Sequence, residues 1–293
     1  MSNKTLTSEV DSNIEALRKF IRSSITSIFP NDYSEGTIEE QSFNSCVYPE
    51  EIEIAEKVMN EAELLLQYHA ASTDDYKLYH KFSKDSIAYY KKHRNTLIFK
   101  FNHKIKYPDK YNYIISILWN SNAKYVGGKI VKVARAYSPN LMMIQQRYKN
   151  YAISFHGYYY ALSKKVQVSD DTTIIVYASS DVNDYNSVNK KKYTNTILES
   201  ANSFKPKIYS ENDIRNGELT KMFVNLSGFI IQKKRDCVDI TYLNSININT
   251  PIFEDLLIKI VNSSQILNIL RSTTIISKKL CAFLIIFLII LML

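Results

Sequence analysis

Two arginines stand where strand alternation places charge among apolar side chains. In Ile130-Val131-Lys132-Val133-Ala134-Arg135-Ala136-Tyr137, alternation sets Arg135 on the face of Val131 and Val133. Arg147 shares a face with Leu141, Met143 and Gln145. Burying an unpaired guanidinium is costly, so each arginine needs an anion. Two kinds are on offer: a carboxylate of the fold, or the phosphate of a ligand held through bidentate hydrogen bonds. Aromatic residues are dense, with 22 Tyr and 13 Phe, and Phe155, Tyr158, Tyr159 and Tyr160 lie close together. Such rings line amphiphile pockets, and they serve equally as ordinary core.

Catalytic patterns are missing. The five His (69, 80, 93, 103, 156) include no pair at metal-binding helical spacing, and there is no Gly-x-Ser-x-Gly elbow or phosphate loop. Gly127-Gly128 reads as a turn, and Asp74-Asp75 and Asp170-Asp171 read as turn carboxylates. His103, on the apolar side of a strand, reads as a hydrogen-bonded core histidine. Three cysteines (46, 237, 281) are too few and too dispersed for a disulfide scaffold or a Cys-type zinc site. The expectation is a protein without catalysis, metal or cofactor. A net charge of +8 points to an anionic partner, nucleic acid or an acidic membrane. The basic residues are dispersed and no RNP-like sequence accompanies them, which disfavours nucleic acid.

The elements that would position these residues come from periodicity. At 293 residues the chain accommodates one large domain with extensions. Residues 1–48 read as a polar extension, with Leu17, Phe20, Ile21, Ile25 and Ile28 at near-helical spacing. From Glu51 to His69, Ile52, Ala55, Met59, Ala62, Leu65 and Leu66 predict an amphipathic helix ending at Ser72–Asp75. Alternation over Leu97–Ile105 predicts a strand, and Pro108 opens a helix burying Ile114, Ile115, Leu118 and Trp119. Strands follow at 129–137, 141–148, 151–168, 172–180, 193–199, 219–232 and 236–243. Joined without crossover helices, they make an antiparallel sheet. After Pro251 the period turns helical again, with Phe253, Leu256, Leu257, Ile260 and Val261 on one face. The expected fold class is therefore α+β, a curved antiparallel sheet with a long C-terminal helix against it, over residues 49–271.

Residues 272–293 form an apolar tail. Its 14 uninterrupted apolar residues from Leu280 reach about 21 Å, short of the roughly 30 Å hydrocarbon core. They are expected to insert into a membrane rather than to fold into a core.

Several stretches resemble a known family. Leu64-Leu65-Leu66-Gln67-Tyr68-His69-Ala70, Asn140-Leu141-Met142-Met143-Ile144-Gln145-Gln146-Arg147-Tyr148-Lys149-Asn150, Tyr159-Tyr160-Ala161-Leu162 and Ile214-Arg215-Asn216-Gly217-Glu218-Leu219 resemble the Plasmodium fam-a (PYST-A) multigene family over about residues 50–270. The resemblance implies a START-like helix-grip fold, in which the sheet wraps a C-terminal helix around a lipid-sized cavity. It further implies binding and transfer of a phospholipid, phosphatidylcholine above all, by blood-stage parasite proteins often exported to the erythrocyte. On that reading Ile252 to Leu270 is the lid, with Phe253, Leu256, Leu257 and Ile260 tuning exchange. Arg135 and Arg147 would meet the head group, with Tyr137 and Tyr160 facing choline through cation–π contact. The chain departs from the family in lacking an N-terminal signal sequence and in carrying the apolar tail. Membrane association through that tail is expected, with a phospholipid and a membrane surface as partners. The alternative is an exported surface or host-interaction protein that keeps the fold without transferring lipid.

Overall fold

The computed structural model describes residues 49–119, 129–150, 155–189 and 191–248. The readings made for residues 1–48, for the helix after Pro251 and for the apolar tail lie outside them.

Helix α1, Pro49–Ala71, opens on a proline whose missing N–H costs nothing there, with Glu50 and Glu51 complementing the helix dipole. Ala55, Val58, Met59, Ala62, Leu66 and His69 form its buried stripe. At its C-terminus the Ser72 amide donates to the Tyr68 carbonyl, and Lys100 Nζ donates to the Ser72 carbonyl at 2.7 Å. Asp75, at φ 64°, then turns the chain into the sheet.

Nine strands follow: β1 Lys77–Ser83, β2 Ser86–His93, β3 Thr96–Ile105, β4 Lys129–Ser138, β5 Leu141–Asn150, β6 Phe155–Ser169, β7 Thr172–Ala178, β8 Thr220–Lys233 and β9 Val238–Ile248. They form one sheet in the order β1-β2-β3-β9-β8-β7-β6-β5-β4, antiparallel between successive neighbours. Beyond the end of β7, β6 meets β8 directly in a short parallel contact, Gly157 with Thr220 and Tyr158 with Lys221. Between β3 and β4 lies α2, Tyr111–Trp119, introduced by a 3-10 turn at Pro108–Lys110. Between β7 and β8 the chain runs through a long irregular segment containing the short helix α3, Asn212–Arg215.

Each face of the sheet has its own core. On one, α1 packs against Tyr158, Tyr160, Leu162, Ile174, Val176 and Ala178. Alternation turns Tyr159, Ala161, Ile175 and Tyr177 to the other face, where α2 packs against Phe101, Phe229 and Ile231. Gly228 lets α1 approach the sheet closely. A Cβ there would sit 2.4 Å from the Ile175 carbonyl oxygen and 2.8 Å from Leu66 Cδ2.

Two expectations are corrected, and one hairpin is added. Residues 193–199 are not a strand. Asn195 Oδ1 accepts from the Ile197 and Leu198 amides, an Asx-type turn that takes these groups from any ladder. The β1–β2 hairpin went unread because edge strand β1 is largely exposed and its lysines mask the alternation. Arg135 does not share a face with Val131 and Val133. A bulge between Val133 and Arg135 shifts the register, so Val131 and Val133 pack on the α2 face while Arg135 turns to α1.

Candidate functional site

The α1 face contains the side chains expected at a head group. Arg135 is ion-paired with Glu51 of α1 and donates to the Lys207 carbonyl at 2.8 Å. Tyr137 donates to the same Glu51 carboxylate at 2.8 Å, and burial, then Glu51, raises its pKa. Arg147 forks onto Asp213 at 2.5 and 3.0 Å and reaches Glu211 at 3.2 Å. Gln145 joins Tyr160 Oη at 2.7 Å to Glu211 at 2.6 Å, while Lys132 pairs with the other Glu211 oxygen at 2.6 Å. Burial pushes the Glu211 carboxyl up, but the hydrogen bonds from Lys132 and Gln145 outweigh it and hold the pKa at about 2. Hydrogen bonding from Arg147 likewise lowers Asp213.

The four residues thus form two separate clusters, Arg135 with Tyr137 and Arg147 with Tyr160. Of the two anions open to the arginines, each has a carboxylate of the fold. Together with the buried pair Lys221–Asp184 at 2.9 Å, to which Tyr158 donates at 2.8 Å, they fasten the β7–β8 segment and α1 to the sheet. A lipid phosphate on this face would have to displace a carboxylate.

The opposite face is built differently. Strand register lines up Met142, Ser163, Tyr177, Ser227, Asn244 and Phe99 across β5, β6, β7, β8, β9 and β3. Four neutral polar residues therefore make a belt across the middle of this face, with Gln146, His103 and Thr173 as further buried polar side chains around it. On one side lie Ile144, Ala161, Val224 and Ile246, and on the other Phe101, Ile175, Phe229 and Ile231. Tyr177 donates to the Leu118 carbonyl of α2 at 3.3 Å, and Ser227 donates to the Leu243 carbonyl at 3.0 Å. Tyr159 donates to Gln146 Oε1 at 2.8 Å, and Tyr242 stacks on Phe229 at 4.9 Å. Burial raises the pKa of Tyr159, Tyr177 and Tyr242 and outweighs the hydrogen bonds between Ser163 and Tyr177 and between Ser227 and Tyr242, so all three are uncharged phenols. His103, on the same face, takes the role expected of it: its Nδ1 lies 2.8 Å from Ser86 Oγ, and burial lowers its pKa to about 4.

Among the described residues, the buried side chains that carry charge are Lys91, Lys100 and Asp184, and all three lie on the α1 face. An apolar surface crossed by a few neutral polar groups is what a lipid needs, because methylenes meet hydrocarbon and one polar group finds partners. Sequence reasoning named Tyr159 only within the aromatic cluster, and missed Gln146, Ser163, Tyr177, Ser227, Tyr242 and Asn244. Alternation does place Tyr159 opposite Tyr158 and Tyr160, but the belt exists only through pairing register, which no single strand reveals. Phe253, Leu256, Leu257 and Ile260 lie outside the described residues.

No protein-family model matches the chain and no curated protein matches it, so the resemblance to the fam-a family has no support there. Solved structures do match. Human StAR-related lipid transfer protein 5 aligns with a TM-score of 0.54 at 8% identity, over 77% of this chain and 99% of that one. Human STARD10 aligns with a TM-score of 0.50, also at 8% identity, over 73% of this chain and 79% of that one. The chain has a START-like fold, with a large antiparallel sheet and few helices among the described residues.

Proposed function

We propose that this protein binds a lipid against the α2 face of its sheet and carries it between membranes without chemical change. The observation that carries the reading is the contrast within the START-like sheet: an apolar face with a neutral polar belt opposite a face whose arginines are held by carboxylates. One of the solved structures it resembles is that of human StAR-related lipid transfer protein 5. On this reading the segment from Ile252 to Leu270 is the lid, and Phe253, Leu256, Leu257 and Ile260 are lipid-binding residues. Burial of each methylene contributes roughly 0.8 kcal/mol, so acyl chains or rings supply the affinity and polar groups supply the choice. Membrane association through the apolar tail keeps the carrier near its donor surface. The blood-stage setting, and phosphatidylcholine as cargo, belong to this proposal on the strength of the fam-a resemblance alone.

The test is lipid exchange by the full chain between donor and acceptor vesicles, read by fluorescence dequenching and followed by mass analysis of the lipids. The expected result is transfer proportional to protein concentration, with every lipid recovered at its original mass. A folded chain that neither extracts nor transfers any lipid contradicts the proposal and favours an interaction protein with a filled interior.

A further inference from the structure

We propose that Lys91 is a site of reversible modification by carbon dioxide, its side-chain amine forming a carbamate in a cation-lined nook at the C-terminal end of α1. The inference is independent of the carrier reading and concerns the opposite face of the sheet. Two observations lead to it.

The first is crowding of positive charge. Ladder pairing sets Lys91 beside Ile98 and Lys100 beside Tyr89, all on the α1 face. The two lysines are 8% and 5% exposed, and their ammonium nitrogens lie 4.6 and 4.0 Å from the centre of one ring, that of Tyr76. Lys100 is held by the protein, donating to the Ser72 carbonyl at 2.7 Å and the Ala70 carbonyl at 3.4 Å. Lys91 has no such bond among the described residues. The Tyr76 ring and the charges of Asp75 and Asp74 in the adjoining turn attract it, but burial outweighs them and lowers its pKa. Where two ammonium groups crowd together, the one without hydrogen bonds gives up its proton first.

The second is a missing anion. His69 is 2% exposed, and its Nδ1 has no hydrogen-bond partner. Its ring meets that of His93 edge-on at 5.4 Å. Burial above all lowers the pKa of both imidazoles; Lys91 and His93 add to this at His69, Arg94 and Lys91 at His93. Tyr76 gives its hydroxyl proton to the His69 carbonyl at 3.2 Å. Lys91, Lys100, His69 and His93 thus meet with no ion-paired carboxylate among the described residues.

Carbamate formation answers both. The amine lone pair attacks the carbon of carbon dioxide, the displaced N–H proton passes through the imidazole pair to water, and an anion replaces a crowded cation. The carbamate gives Lys100 a counter-charge and His69 Nδ1–H an acceptor. Carbon dioxide is uncharged and small enough for a side chain so little exposed.

The experiment is carbon-13 NMR of the full chain in labelled bicarbonate at neutral pH, with carbamates then trapped by triethyloxonium and mapped by peptide mass spectrometry. A carbamate signal is expected from the wild type, with the ethyl adduct on Lys91, and Lys91→Arg should remove both. Lys100→Met removes the crowding charge and should lower occupancy at Lys91 roughly tenfold, the equivalent of one pKa unit. Mapping on the wild-type chain keeps the test decisive should a variant fail to fold. A folded wild-type chain with no adduct on Lys91, or with equal adducts on the exposed Lys57 and Lys81, overturns the proposal.

Discussion

The two faces of the sheet use the same strands for opposite purposes. On the α1 face the charges are concentrated and engaged: Glu51 by Arg135, Asp213 and Glu211 by Arg147, Asp184 by Lys221. On the α2 face the belt is neutral and its phenols are kept from ionising by burial. An ion pair fixes two elements at one distance, which suits fastening a long loop and a helix. A neutral apolar face tolerates exchange of what lies on it, because no ion must be desolvated when a ligand leaves. The difference teaches that arginines on a half-buried strand are guides to the scaffold here, while the face proposed for the ligand is marked by a lack of buried charge among the described residues.

The largest effect should come from breaking the buried ion pair on the α1 face. Asp184→Ala leaves Lys221 and the Tyr158 hydroxyl without their carboxylate, and should cost about 3–5 kcal/mol in chemical denaturation. A loss under about 1 kcal/mol would mean that water reaches this pair.

Acid should then separate the two kinds of group. His69 and His103 have pKa values lowered to about 4 by burial, against 6.5 when unfolded. The unfolded chain therefore binds their protons first, so their contribution is complete above pH 6.5 and is lost as pH falls toward 4. Glu211, lowered to about 2 by Lys132 and Gln145 despite burial, contributes above its ordinary 4.5 and loses that as pH falls toward 2. Melting temperature against pH should fall in these two successive ranges, and His103→Gln should flatten the first alone.

The sharpest separation comes from Arg147→Ala. It should lower stability by about 1–2 kcal/mol, since the pair is only partly buried, and leave lipid occupancy within twofold of wild type. Loss of lipid from a stable Arg147→Ala chain would move the ligand to the α1 face. Tyr159→Phe should do the reverse, with stability changed by less than about 1 kcal/mol and lipid retention reduced.

Much of this fold was legible. Helical spacing in Ala55, Met59, Ala62 and Leu66 and alternation in Leu97–Ile105 report burial of one side of a single element, which a sequence records directly. Lys77–Ser83 was not legible, because this edge strand is largely exposed and two register shifts break its alternation, leaving Tyr79 and Phe82 as its inward residues. Arg147 was assigned to the right group of neighbours and Arg135 was not, since one extra residue in β4 inverts parity beyond it. The belt was illegible for a different reason. Ser163, Tyr177, Ser227 and Asn244 stand far apart in sequence and become neighbours only when four strands pair in register. Polar residues there read as ordinary surface until the sheet shows that Ser163, Ser227 and Asn244 are buried and Tyr177 partly so.

The most direct test of the central claim is photo-crosslinking of the full chain to a lipid carrying a diazirine in its apolar part, with adducts mapped by peptide mass spectrometry. The account predicts adducts on α2-face side chains such as Met142, Val224 and Ile246, competed away by unlabelled lipid. Adducts concentrated at Leu66, Leu162 or Ile174 on the α1 face would contradict it.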